Sequence, residues 1–461
     1  MLIAFLILIY VAEAARVWYR LRHIPGPRLV GWTKWWLIRA HTSGRKHLDL
    51  AEVCEKYEIR QTLMTEGKLA RIGPNDLVTS DPRLLRRILS VRSSYSRAPY
   101  YQGFRLDPSR DNILSQIDDA KHGILRSKMV AGYAGKDNER MEQTMNESIV
   151  ALMKLIDTKY VSTNLVYRPM DFSRKAQYLA LDVISSLAYG KAFGDLEKDE
   201  DVHNYIEMIE EAGPNIVLLT VLPVMRKMLR MPLIKNLVPN AKDQFGFGKV
   251  MGIAKELASE RFGPYKKIQA DMLGSFVAHG LTQDEAESEI LFQILAGSDT
   301  TATAIRVIML YISTSPRILS NLLSEINTFA PSSPISDAEA RKMPYLQAII
   351  KEGLRIWPPV QGLSSKEVPQ GGDTINGVFV PGGTAIGYAA TAIFRDEEIW
   401  GPDAKLFHPE RWLIHDERRL KEMNAVWELV FSYGKWQCLG KNVAMMELNK
   451  VIVEDGVREQ Y

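Results

Sequence analysis

One stretch constrains the fold of this chain more than any other. From Glu285 to Ile312, apolar side chains recur at helical spacing. Thr282 stands three residues ahead of Glu285, the arrangement of a capping box, and Pro316 marks the far end. A helix of this length is expected to run through a large body. Near its middle stands Ala296-Gly297-Ser298-Asp299-Thr300-Thr301. Glycine and paired hydroxyl residues are poor helix formers, and their hydroxyls compete for backbone carbonyls. Two readings are open: a local distortion that opens a groove, or a polar patch inside an ordinary helix.

The remaining periodic stretches are Asn146–Lys159, Phe172–Tyr189, Tyr345–Trp357 and Val443–Val453. Strand-like material is confined to Ala70–Ser80 and Asp373–Tyr388, where Gly and Pro separate short β-branched runs. The fold class expected is therefore mainly α, an α-rich α+β domain. At 461 residues, length alone suggests about three domains, but no Gly/Ser/Pro-rich linker or repeat divides the chain. One large domain behind a short N-terminal extension is the better reading. A net charge of +3 is too small to argue for nucleic acid, and no basic stripe with interleaved aromatics occurs. Only two cysteines are present, Cys54 and Cys438, so a secreted disulfide framework is not expected.

Residues 1–12 form an unbroken apolar run, followed by Arg16, Arg20, Arg22, His23 and Arg28. Basic residues that follow rather than precede the run oppose a cleaved signal peptide and keep the main body cytosolic. Residues 1–19 are read as a membrane anchor, although the run is shorter than the ~20 residues a spanning helix needs. A signal sequence or buried helix is the alternative. Pro25-Gly26-Pro27 ends any helix there. The stretch Ile216–Pro239 mixes Leu, Met, Ile and Val with four basic residues and three prolines. It either touches a membrane surface, covers an apolar pocket, or is ordinary core.

Cys438 lies between Gly434 and Gly440, just ahead of a helical pattern. Glycines let backbone N–H groups approach a sulfur, and a helix N-terminus favours its anion. Those are the needs of an iron-bound thiolate, although a lone cysteine in a Gly-rich turn is by itself more often structural. With Phe431, the pattern Phe431-x-x-Gly434-x-x-x-Cys438-x-Gly440 resembles the haem-binding loop of the cytochrome P450 family. The chain resembles filamentous fungal members of the pisatin demethylase type. The resemblance implies haem b with Cys438 as axial ligand to iron, and Phe431, Gly434 and Gly440 around it. One position departs: Trp436 stands where the family usually has an Arg that pairs with a haem propionate. Lys435 is the nearest candidate to compensate.

Further motifs stand in the family's order. Glu352 and Arg355 share one helix face, and Arg411 follows within Phe407-His-Pro-Glu-Arg-Trp412. The resemblance implies a buried charge network of the three, where residue spacing alone suggests only a surface ion pair. Asp299 and Thr300 fall on the family's acid–alcohol pair, which assists protonation of dioxygen. His122 and Arg126 fall on its propionate-binding segment, and Lys366 on a further propionate position. The implied fold is a triangular helical domain with small sheets over residues 20–461. The implied activity is monooxygenation of an apolar small molecule in a fungal secondary-metabolite pathway (terpenoid, polyketide or alkaloid). Partners would be NADPH-cytochrome reductase, dioxygen and the endoplasmic reticulum membrane, with the catalytic domain cytosolic. Tyr100–Leu114, Leu291–Thr301 and Val360–Leu363 would line the pocket. A haem-thiolate isomerase or dehydratase, or an inactive remnant, is the alternative. Against the family pattern, the C-terminus reads as shortened and Glu58–Glu66 as an insertion.

Overall fold

In the computed structural model the described residues are 2–62, 68–107, 109–228, 231, 239–243, 246–264 and 266–458. The long helix runs without interruption over Gln283–Ser313. Its capping box is complete: Thr282 Oγ1 accepts from the Glu285 N–H, and the Glu285 carboxylate accepts from the Thr282 N–H at 2.8 Å. One face is buried along its whole length through Ala286, Ile290, Ile294, Ile305, Ile308 and Ile312. Helix Phe172–Tyr189 packs on it, and Gly297 sits at the crossing. A Cβ there would stand 2.7 Å from Ile184 Cγ1, so no larger residue lets the two helices approach this closely. The helix is not interrupted at this motif. The mid-helix hydroxyls bond back within the helix instead, Ser298 Oγ to Ile294 O and Thr300 Oγ1 to Ala296 O.

Helices Met141–Leu155, Pro344–Ile356 and Lys441–Arg458 surround this centre, close to where periodicity put them. A five-stranded sheet lies to one side, with strands β1 (Ala70–Arg71), β2 (Asp76–Thr79), β3 (Ser96–Arg97), β4 (Leu363–Glu367) and β7 (Ala385–Tyr388) in the order β1-β2-β7-β4-β3. Strands β5 (Asp373–Ile375) and β6 (Val378–Val380) form a separate hairpin. The sequence patterns pointed to neither β3 nor β4. Two residues cannot show a period, and β4 carries a register shift between Leu363 and Lys366.

Residues Leu2–Arg20 form one helix, in line with a structured N-terminal segment. Among the described residues, no helix is long and apolar enough to cross a membrane, so the spanning form of the anchor is not supported. Of Ile216–Pro239, the part up to Val221 ends one helix and Pro223–Met228 forms the next. Most of the stretch beyond Met228 lies outside the described residues, as does the end of the Glu58–Glu66 stretch.

The three-residue charge network is buried. Glu352 and Arg355 are both 0% exposed. Arg355 Nε and Nη2 donate to the two Glu352 carboxylate oxygens at 2.8 and 2.7 Å, in a bidentate pair. Arg411 Nε donates to the same carboxylate at 3.0 Å, as do Trp412 Nε1 and the His408 N–H. The remaining guanidinium N–H groups bind the carbonyls of Phe394, Ala404 and Leu406 from Arg355, and of Trp400 and Asp403 from Arg411. The network thus ties helix Pro344–Ile356 to the long connection that leads into the Cys438 loop. Glu352→Gln is expected to lower unfolding free energy by about 3–5 kcal/mol, because it leaves the buried Arg355 guanidinium without its anion and Arg411 with only the Asp403 carboxylate. Denaturant titration of the purified protein measures this.

Candidate active site

The loop before helix Lys441–Arg458 turns on Gly434, whose φ is +61°. A Cβ there would lie 2.2 Å from the Leu89 carbonyl oxygen, so both conformation and space demand glycine. The Cys438 N–H then donates to Phe431 O at 2.8 Å, which closes the loop and holds the sulfur at its tip. The Phe431 ring packs edge-on against Trp427 with centroids 5.9 Å apart. Protein surrounds Cys438, yet the residue itself is exposed, so it lines an opening within the fold. Burial pushes the thiol above its ordinary value. The N–H groups of Gly440 and Lys441 and the Arg126 guanidinium pull the other way. A metal bound to the sulfur would remove the proton outright.

Asp299 and Thr300 sit on the long helix. Asp299 is exposed and Thr300 half-buried, while Ser298 and Thr301 beside them are buried. Burial among protein atoms raises the Asp299 carboxyl, and the Arg306 charge opposes that. The side chain is thereby nearer to carrying a proton at neutral pH than an ordinary Asp. Arg306 is itself anchored on Ser173 O and Gln177 Oε1.

His122 and Arg126 share helix Asp119–Tyr133 but differ in task. Arg126 Nη1 donates to the Gln437 carbonyl at 2.7 Å, so it braces the backbone beside Cys438. His122 is 3% exposed and its Nε2 has no partner. Burial, with the charges of Arg97, Arg126, Lys366 and Lys435, lowers its pKa to about 3. These protein groups favour the neutral ring. Lys435, the base suggested to compensate for the missing Arg, is already engaged within the protein. Its ammonium is held by Ser93 O, Tyr95 O and the Asp119 carboxylate at 2.7–3.1 Å.

Two residues that the sequence did not single out complete this region. Arg97 on β3 is 6% exposed, donates to Ile113 O and Gln116 O, and leaves Nε without a partner. Register pairs Arg97 with Lys366 on β4, setting two buried basic groups side by side, and burial together with the Arg97 charge pushes the Lys366 ammonium well below its ordinary value. Such a pair is unfavourable unless an anion lies near it. Lys366 is 2% exposed and reaches only neutral oxygens, Tyr101 Oη and Ser364 O. Glu289, buried on the long helix, accepts from the Ile113 N–H at 2.6 Å and pins the loop ahead of His122.

These features fit an iron porphyrin: a thiol facing an opening, and beside it buried donors and uncompensated cations suited to carboxylates. A family model described as cytochrome P450 matches residues 33–454. The chain belongs to the cytochrome P450 family. Three similar fungal proteins bear the name cytochrome P450 monooxygenase: ABA1 of Pyricularia oryzae, aba1 of Botryotinia fuckeliana and abl1 of Leptosphaeria maculans. The first is 43% identical over 97% of this chain and 88% of its own length. The second is 37% identical over 94% and 85%, and the third 35% over 96% and 77%. Pisatin demethylase of Fusarium vanettenii is 28% identical over 94% and 82%. This P450 is accordingly an oxidoreductase, a monooxygenase that uses haem b ligated by a cysteine thiolate. Family membership implies a redox partner, a substrate and dioxygen.

Burial raises the Glu289 pKa from 4.5 to about 8. Between those values the unfolded chain has lost this proton while the folded protein keeps it. Stability is therefore full below pH 4.5 and falls as pH rises toward 8. Glu289→Gln keeps the acceptor for Ile113 and removes the titration. Its melting temperature should match wild type near pH 4.5 and exceed it near pH 8.

Proposed function

We propose that Cys438 would hold the haem iron through its thiolate, and that this P450 oxidises an apolar small molecule in fungal secondary metabolism, of terpenoid, polyketide or alkaloid class. The observation that carries the first part is the Cys438 loop, where a sulfur lining an opening receives the N–H groups of Gly440 and Lys441. The names of the relatives, all fungal, support the second. When bound, haem held by this thiolate would supply the activation of dioxygen, one oxygen atom passing to the substrate and the other leaving as water with two electrons from the reductase and two protons.

The chain's own residues do the rest. Phe431, Gly434 and Gly440 shape the sulfur's surroundings. Arg126 holds the loop backbone, and His122 offers a neutral ring nitrogen. Asp299 and Thr300 hold and hand on protons at the carboxyl and hydroxyl of adjacent residues, with the raised Asp299 pKa suiting a donor. Tyr100–Leu114, Leu291–Thr301 and Val360–Leu363 line the substrate space in this reading. Tyr100 and Phe104 meet edge to face at 5.6 Å and give that wall an aromatic surface.

Electrons come from NADPH-cytochrome reductase at the endoplasmic reticulum membrane, with the catalytic domain on the cytosolic side. Residues 1–19 and an exposed apolar patch support membrane contact. Leu29, Trp32 and Trp35 are exposed, and so are Val224, Met225 and Met228. Lys34 Nζ bonds Val221 O at 3.1 Å, which brings the two groups to one side of the molecule.

Cys438→Ser is expected to abolish the thiolate-type spectrum of the reduced carbonyl complex. Thr300→Ala should keep that spectrum and lower product formation by about 10²-fold. Incubation with reductase and candidate apolar intermediates reads out both the substrate class and this loss. Full turnover by Thr300→Ala would remove Thr300 from the mechanism.

A further inference from the structure

Trp436 lies two residues before Cys438, at the end of the short turn Gly434–Trp436. It is 5% exposed and its indole Nε1 has no hydrogen-bond partner. A buried N–H left unpaired is costly. Its surroundings are equally unbalanced. Lys435 Nζ stands 4.3 Å and Lys366 Nζ 4.8 Å from the Trp436 ring centroid. Lys435 has Asp119 as its counter-charge, but Lys366 reaches only a phenol and a carbonyl. Across the strand pair stands Arg97, with its own orphaned Nε, and His122 adds an orphaned ring nitrogen. Asp119 is taken by Lys435, and among the described residues neither Lys366 nor Arg97 forms an ion pair, so carboxylates brought by a ligand would supply the missing negative charge.

We infer that the indole N–H of Trp436 donates to a haem propionate, as a neutral donor, while Lys366 and Arg97 supply the positive charge. This rests on the reading of Cys438 as the haem ligand. It accounts for an aromatic residue at this position. A guanidinium at 436 would lie within about 5 Å of two ammonium groups in a buried setting, where like charges repel strongly. The indole avoids that repulsion. It also offers its negative ring face to both lysines while its edge N–H stays available to an acceptor.

The test uses holoenzyme and the rate of haem transfer to excess apomyoglobin. Trp436→Phe removes the N–H and keeps an aromatic face, and it should lose haem about tenfold faster than wild type. Trp436→His keeps a ring N–H and should stay closer to wild type. Trp436→Arg should lose haem faster than wild type, and pairing it with Lys366→Met should slow that loss. A wild-type rate for Trp436→Phe, or equal rates for the Phe and His variants, would overturn the assignment. So would slower loss from Trp436→Arg alone. The reduced carbonyl spectrum separates the two readings. A wild-type protein without the thiolate-type spectrum fails at Cys438, and a variant that keeps the spectrum but loses haem speaks for Trp436.

Discussion

The site depends on one buried carboxylate. Glu352 receives two bonds from Arg355, one from Arg411, one from the Trp412 indole and one from the His408 backbone. These partners come from two stretches of chain far apart in sequence. Burial of three charges is tolerable only because every oxygen and guanidinium N–H described there finds a partner. The network can therefore exist in one arrangement only. That arrangement fixes where the segment from Phe394 to Trp412 runs, and so where the chain must enter the Cys438 loop.

The long helix plays the complementary part. It is held on one side by close packing of Ile184 against Gly297 and on the other by the apolar residues down its buried face. Asp299 and Thr300 are thereby carried on a rigid element rather than a loop, which favours precise placement. Between helix and loop, the region around Arg97, Lys366, His122 and Trp436 is assembled from four elements: the paired strands β3 and β4, helix Asp119–Tyr133, and the cysteine loop itself. It concentrates positive charge and donors that the protein alone does not satisfy.

How much of this was legible differs by residue. Glu352, Arg355 and Arg411, with Asp299, Thr300 and Cys438, could be read because each sits in a short motif whose spacing survives without the fold. Helix ends marked by Thr282 and Pro316 were equally local. Arg97 could not be read, because a basic residue in a two-residue strand has no pattern around it. Glu289 looked like one more charge on a helix, since only the loop packed above it shows that its carboxyl is buried. Gly297 suggested a distorted helix by composition, yet it serves a close helix crossing.

By itself the sequence determined the helical skeleton, the family and the residues proposed to carry chemistry, because periodicity, caps and motif spacing are properties of neighbouring residues. The tertiary structure alone decided what Arg126 and Lys435 bind, which cations lack a counter-charge, and that the Trp436 N–H is buried without a partner. Those facts depend on contacts between residues hundreds of positions apart, such as Arg126 with Gln437 and Lys435 with Ser93. Burial and electrostatic balance are sums over all elements that meet at a point, and no stretch of sequence contains that sum.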